Sequence, residues 1–172
     1  MFRKVTRIKG IIIVNKNIPL PIWYNPGLNK EMMDCYYKMY EEAAKENLKL
    51  DIVSGFRSYL KQRKEYLGYV KKVGKEKADT FSAKPGYSEH QTGLALDILD
   101  DTDNFIDSKE AIWLAKNAHR FGFIIRYPKG KTNITGYKYE PWHIRYVGVK
   151  HAKRIYNKKI TLEEYLGLYE NK

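Results

Sequence analysis
GYSEHQTGLALDI, residues 86–98, sets His90 seven positions before Asp97, an acid that stands among apolar neighbours in LALDIL. In a strand over 94–99, Leu94, Leu96 and Ile98 share one face while Ala95, Asp97 and Leu99 share the other. The acid points away from the leucines, into space that the small Ala95 leaves open. A carboxylate in apolar surroundings is costly unless it is paired or holds a cation. His90 is the nearest partner in sequence, but an extended chain would keep the two about 23 Å apart at ~3.3 Å per residue. A turn over 91–93 is therefore required, and Gly93 can adopt the positive φ that closes one.

The complementary half is YEPWHIRY, residues 139–146, where Glu140 precedes His143 by three residues. An ideal strand would send those side chains to opposite faces, but Pro141 cannot donate to a ladder and favours a strand start or bulge. A kink there aims Glu140 and His143 into one cavity. Two histidines and one carboxylate, His90, His143 and Asp97, make a zinc site with one position left for water, and unligated Glu140 is then the general base. A two-histidine, one-carboxylate iron site is the competing metal reading. It leaves Glu140 without a role, and the seven-residue spacing from His90 to Asp97 is long for it.

Working outward, KGIIIVNK at 9–16 reads as a strand, closed by the Pro- and Gly-rich segment that follows. Met32, Cys35, Tyr36, Met39, Tyr40 and Ala43 fall on one stripe of a helix from Asn29 to about Glu46. Cys35 on that stripe is a packing residue. LDIVSGF at 50–56 reads as a strand leading through Arg57 into a charged helix over 58–73. DDTDN at 100–104 lacks the glycine and closing glutamate of a calcium loop and reads as a solvated turn. Asp107 and Glu110 suggest a capping box opening a helix that runs to Gly122, with His119 a structural cation in its last turn. FIIRYP at 123–128 and WHIRYV at 142–147 are strands. His151 reads as a surface residue, and Thr161 with Glu164 caps a short final helix. Strands and helices without regular alternation predict an α+β fold.

The 172 residues, 43% hydrophobic and 30% charged, suit one domain over 1–172, with 151–172 a basic and helical extension. The net charge of +12 fits a polyanionic partner, whether nucleic acid, anionic membrane or acidic cell-wall polymer. Nucleic-acid binding explains the charge but neither Asp97 nor Glu140, so no nucleic-acid partner is expected. A single cysteine excludes an internal disulfide. No run approaches the ~18 apolar residues of a membrane span, and IIIV is too short for the core of an export signal. The expectation is an extracytoplasmic protein whose export segment is absent from this chain, with a cytoplasmic location as the alternative. Oligomeric state stays open.

SGFRS at 54–58, PGYSEHQTGLALDI at 85–98, FGFIIRYP at 121–128 and YEPWHIRYVG at 139–148 closely resemble the zinc D-alanyl-D-alanine carboxypeptidases of the VanY type, a family with L,D-carboxypeptidase relatives. The resemblance covers roughly residues 10–150. It implies a small antiparallel sheet carrying one zinc ion per chain, flanked by helices, a fold shared with lysostaphin-type endopeptidases and the hedgehog signalling domain. It further implies His90, Asp97 and His143 as ligands and Glu140 as base, in agreement with the reading above. Arg57 is implied as a catalytic and substrate-binding residue, with Gln62, Ser88, Tyr127 and Trp142 lining the same pocket; core packing is the equal alternative for Trp142. Phe56 departs from the tyrosine common in the family. The implied reaction is hydrolysis of the C-terminal D-alanine from peptidoglycan stem peptides or their precursors. The alternatives are a cross-bridge endopeptidase on the same fold and a basic non-catalytic binding module.

Overall fold
The structure is a computed structural model and describes residues 4–99 and 104–169. Residues 9–16, expected to form a strand, are not one strand. β1 (Arg7–Ile8) and β2 (Ile11–Ile12) form a hairpin in which Arg7 pairs with Ile12. Lys9 at φ 53° and Gly10 at φ 79° make the turn, since two successive positive φ values reverse a chain within two residues. The apolar run that suggested one strand persists for another reason. Ile11 and Ile13 enter one core cluster while Ile12 and Val14 enter another, so both faces are covered.

α1 (Lys30–Ala44) starts where the stripe predicts, with the Asn29 side chain accepting from the Met32 N–H at 2.9 Å. Met32, Tyr36, Met39 and Ala43 form its buried face, and Cys35 is half-buried beside the same cluster. β3 (Asp51–Ser54) leads to α2 (Tyr59–Val73), which ends at Gly74 with φ 83°. α3 (Lys75–Phe81) follows at once and was not foreseen, because KEKADTF buries only Ala78 and so shows no period. After β4 (Ala95–Leu99), α4 (Lys109–Asn117) is capped by Ser108 and not by Asp107. Both are N-cap residue types, but it is the Ser108 hydroxyl that accepts from the Ala111 N–H, at 3.1 Å. The chain then tightens into a 3₁₀ turn over Ala118–Phe121 and stops at Gly122, φ 88°, as expected. Residues 100–103, the bulk of the candidate calcium loop, lie outside the described residues.

β5 (Phe123–Tyr127), the short α5 (Thr132–Thr135) and β6 (Glu140–Tyr146) precede α6 (Val149–Lys158) and α7 (Leu162–Leu166). α6 and α7 make up most of the basic and helical extension expected over 151–172, and α6 starts two residues earlier. Thr161 and Glu164 form the predicted capping box of α7. β3, β4, β6 and β5, in that order, build one four-stranded antiparallel sheet, which confirms the α+β class. Leu96, Ile98, Phe123 and Ile144 are fully buried with Met32 and Met39 of α1 and Leu114 of α4. Each such side chain contributes roughly 2 kcal/mol of burial. Ala152, Ile155, Leu162 and Leu166 of α6 and α7 pack with Ile124 of β5 and with Ile11 and Ile13, so residues 11–13 and the last two helices meet beside the outer strand β5. No helix among the described residues is long and apolar enough to cross a membrane.

Candidate active site
Asp97 and His143 are directly opposed across β4 and β6. His90 reaches the same point from a 3₁₀ turn over Glu89–Thr92, which Gly93 ends at φ 70°. A Cβ on Gly93 would lie 1.9 Å from the Gly27 carbonyl oxygen, so both φ and space demand glycine. Asp97 divides its oxygens between the two rings: Oδ2 lies 3.1 Å from His90 Nε2 and Oδ1 lies 2.9 Å from His143 Nδ1. Burial opposes its charge, yet hydrogen bonds from His143 and His90 hold Asp97 well below the usual carboxylate range.

The outward nitrogen of each ring is also engaged. His90 Nδ1 is 2.7 Å from the Gly55 carbonyl oxygen, which only accepts, so Nδ1 carries the proton and Nε2 is left for a cation. His143 Nε2 lies 3.3 Å from Glu89 Oε2, leaving Nδ1 on the Asp97 side. One donor atom each from His90, Asp97 and His143 falls within 4.8 Å of the others. Rings oriented by a carbonyl and a carboxylate, with an acid between them, suit zinc. Burial disfavours charge on His143, but the hydrogen bonds to Asp97 and Glu89 outweigh it and raise its pKa to about 10 in the metal-free protein.

Glu140 enters the same cavity, of about 300 Å³, which Arg57, Gln62, Ser88, Tyr127 and Trp142 also line. The expected kink is a bulge. Between the pairs Ile125 with Ile144 and Tyr127 with Glu140, two steps along β5 are matched by four along β6. Burial, then the neighbouring charges of Asp97 and Glu89, raise Glu140 to about 7 against the opposing pull of His143. Arg57 donates to Gln62 Oε1 and Ser54 Oγ, both at 3.0 Å, and its backbone N–H donates to the His90 carbonyl at 3.1 Å. Gln62 is buried and donates to the Ala83 carbonyl at 2.7 Å, so it braces the cavity wall. The Tyr127 ring stacks on His143 with centroids 5.0 Å apart. Trp142 both lines the cavity and packs on the main core.

A family model for VanY, D-alanyl-D-alanine carboxypeptidase, matches residues 25–149. The chain belongs to the VanY carboxypeptidase family. Its VanY-type sequence is 41% identical over 181 residues to the "Putative carboxypeptidase YodJ" of Bacillus subtilis (strain 168), covering 90% of this chain and 66% of the relative, just under two thirds of that protein's length. The LdcB LD-carboxypeptidase structure superposes with a TM-score of 0.85 at 45% identity, covering 94% of this chain and 88% of that one. A mutant of the vancomycin resistance D,D-pentapeptidase VanY, determined in complex with Zn(II), gives 0.82 at 35% identity over 90% of this chain and 97% of that one. A zinc-bound VanY structure accords with a group, His90, Asp97 and His143, that is able to hold a metal.

Four charged residues near the site were missed in the sequence. Glu89, Arg126, Arg145 and Glu163 are all buried. A signal was available, since Arg126 in FIIRYP and Arg145 in HIRYV stand among apolar strand residues as Asp97 does. Glu65 was also missed; its Oε2 lies 3.2 Å from Arg57 Nη1. His119 is not the cation expected at its helix end. Burial, with Arg120 and Lys153 nearby, lowers its pKa, and the ring stacks on Tyr156 with centroids 3.6 Å apart. His151 is half-buried, with Nδ1 2.7 Å from the Tyr165 hydroxyl.

Proposed function
We propose that this chain is a zinc-dependent carboxypeptidase that removes the C-terminal D-alanine from peptidoglycan stem peptides, preferring the tetrapeptide and its L,D bond. The observation that carries the chemistry is a buried donor set, His90, Asp97 and His143, sharing a cavity with the free carboxylate of Glu140. The higher identity to the LdcB LD-carboxypeptidase, 45% against 35% for the D,D-pentapeptidase, supports the tetrapeptide.

Zinc held by the three side chains would supply an acidified water and a Lewis acid for the scissile carbonyl. Glu140 takes a proton from the attacking water as its oxygen bonds to the carbonyl carbon. It returns that proton to the amine nitrogen as the C–N bond breaks, releasing D-alanine and the shortened peptide. A pKa raised by burial suits a group that must both accept and give a proton near neutrality. Arg57 holds the substrate's terminal carboxylate. Its guanidinium already takes a carboxylate, that of Glu65, at the cavity wall. Tyr127 keeps the His143 ring in plane, and Ser88, Gln62 and Trp142 shape the pocket. The excess of basic residues suits work beside an anionic wall polymer and supports a location outside the cytoplasmic membrane.

Mass spectrometry of synthetic tetrapeptide and pentapeptide stems incubated with zinc-loaded protein tests this reading. Loss of one alanine from the tetrapeptide, abolished by EDTA and restored by zinc, is expected. Cleavage inside a cross-bridge would favour the endopeptidase alternative, and turnover unaffected by chelation would refute the zinc mechanism.

A further inference from the structure
Behind His143, on the side away from Asp97, lies a closed set of buried charges. Glu89 Oε2 meets His143 Nε2, and Glu89 Oε1 accepts from Arg126 Nε at 2.8 Å and Arg145 Nη1 at 2.7 Å. Arg126 turns its other two nitrogens to Glu163 of α7, with Nη1 to Oε2 at 2.9 Å and Nη2 to Oε1 at 2.6 Å. Arg145 is anchored further by the Ile12 carbonyl at 2.6 Å and the Tyr146 carbonyl at 3.1 Å. Asn15 donates to Glu163 Oε1 at 3.3 Å. Two arginines balance two glutamates in a region where none of the four has side-chain exposure above 4%. Buried ions are tolerated only when paired in this way.

We propose that Glu89 is the positioning residue that fixes His143 with Nδ1 toward the metal, and that Glu163, beyond the family-matched stretch, completes the site by neutralising Arg126. The reason is geometric and electrostatic. Glu89 is the only member of the set that touches a ligand ring, and a carboxylate accepting from Nε2–H dictates which nitrogen faces the cation. Without the Glu163 charge, Arg126 turns wholly to Glu89 and draws it from His143, while an unbalanced buried positive charge opposes an incoming cation. The C-terminal helix is thereby part of the metal site although it contributes no ligand.

The inference rests on the assignment of His90, Asp97 and His143 as the zinc site, and the test separates the two. Zinc affinity is measured by competition with a chromophoric chelator, and the visible spectrum of the cobalt-substituted protein reports ligand geometry. Far-UV circular dichroism and Tm report folding. Glu89→Gln is expected to weaken zinc binding by about 10–100-fold and to shift the cobalt bands, and Glu163→Gln to weaken it by about tenfold. Thr161→Ala removes the α7 cap without touching the ion pairs, and is expected to lower Tm while zinc affinity and the cobalt spectrum stay at wild-type values. Should Glu89→Gln fail to fold, Glu163→Gln against Thr161→Ala still decides. Wild-type zinc affinity and spectrum in Glu163→Gln would overturn the proposal, as would an equal loss of zinc in Thr161→Ala. A wild-type protein that binds no zinc would refute the site assignment itself.

Discussion
Asp97 and His143 lie on adjacent strands as register partners, with Oδ1 and Nδ1 2.9 Å apart. Two strands joined by backbone hydrogen bonds therefore deliver two of the three donors with little freedom to misplace them. Asp97→Asn preserves the shape but removes the charge that holds both rings. Zinc affinity should fall by at least the roughly 10–100-fold that loss of an outer partner costs, measured by chelator competition with the circular dichroism spectrum unchanged.

Glu140 has no place among the donors, so Glu140→Gln should separate binding from turnover. Zinc stoichiometry by elemental analysis stays at the wild-type value while kcat drops by about 10²–10⁴-fold, the usual worth of a general base. Wild-type turnover in this variant would refute the assignment.

Zinc and a proton compete for His143. In the metal-free protein burial opposes its charge, yet Asp97 and Glu89 raise its pKa from an ordinary 6.5 to about 10. The sign follows: this histidine stabilises the metal-free fold fully below 6.5 and progressively less as pH climbs through about 10. At pH 8 the ring is protonated, so zinc must displace a proton and its affinity rises with pH. Calorimetry in buffers of different ionisation enthalpy should find about one proton released per zinc from this ring.

Gly93→Ala places a methyl group against the Gly27 carbonyl at a positive φ. A loss on the order of 3 kcal/mol or more is expected. Denaturant unfolding measures it, and zinc affinity should fall as the His90 turn is displaced.

Arg57→Ala should lower kcat/KM by about 10-fold to 150-fold, from the 1.5–3 kcal/mol of a hydrogen bond to a charged group. KM is expected to carry most of the change, because the terminal carboxylate is bound in ground and transition states alike. Steady-state kinetics on the tetrapeptide separates the two.

That His90, Asp97, His143 and Glu140 share one cavity could be read from the chain because their chemistry is anomalous for its setting. An acid in LALDIL and a proline before WHIRY contradict ordinary strand rules, and each contradiction marked a residue of the cavity. Arg126 and Arg145 carried the same anomaly but have no nearby partner in sequence. Their glutamates lie 37 and 56 residues away, at a separation that local pattern does not cover. α3 was missed because its one buried residue, Ala78, cannot mark a helical period.

Sequence alone determined that a histidine turn and a strand acid must meet, that a second histidine and a free glutamate accompany them, and that the fold mixes strands with helices. Only the tertiary structure decided which nitrogen of each ring faces Asp97, and that the C-terminal helix reaches the buried charges behind His143 through Glu163 and Arg126. The physical reason is range. Alternation and turn chemistry act over a few residues and are written in local order, whereas the balance of buried charges depends on which distant strands the hydrophobic core brings together.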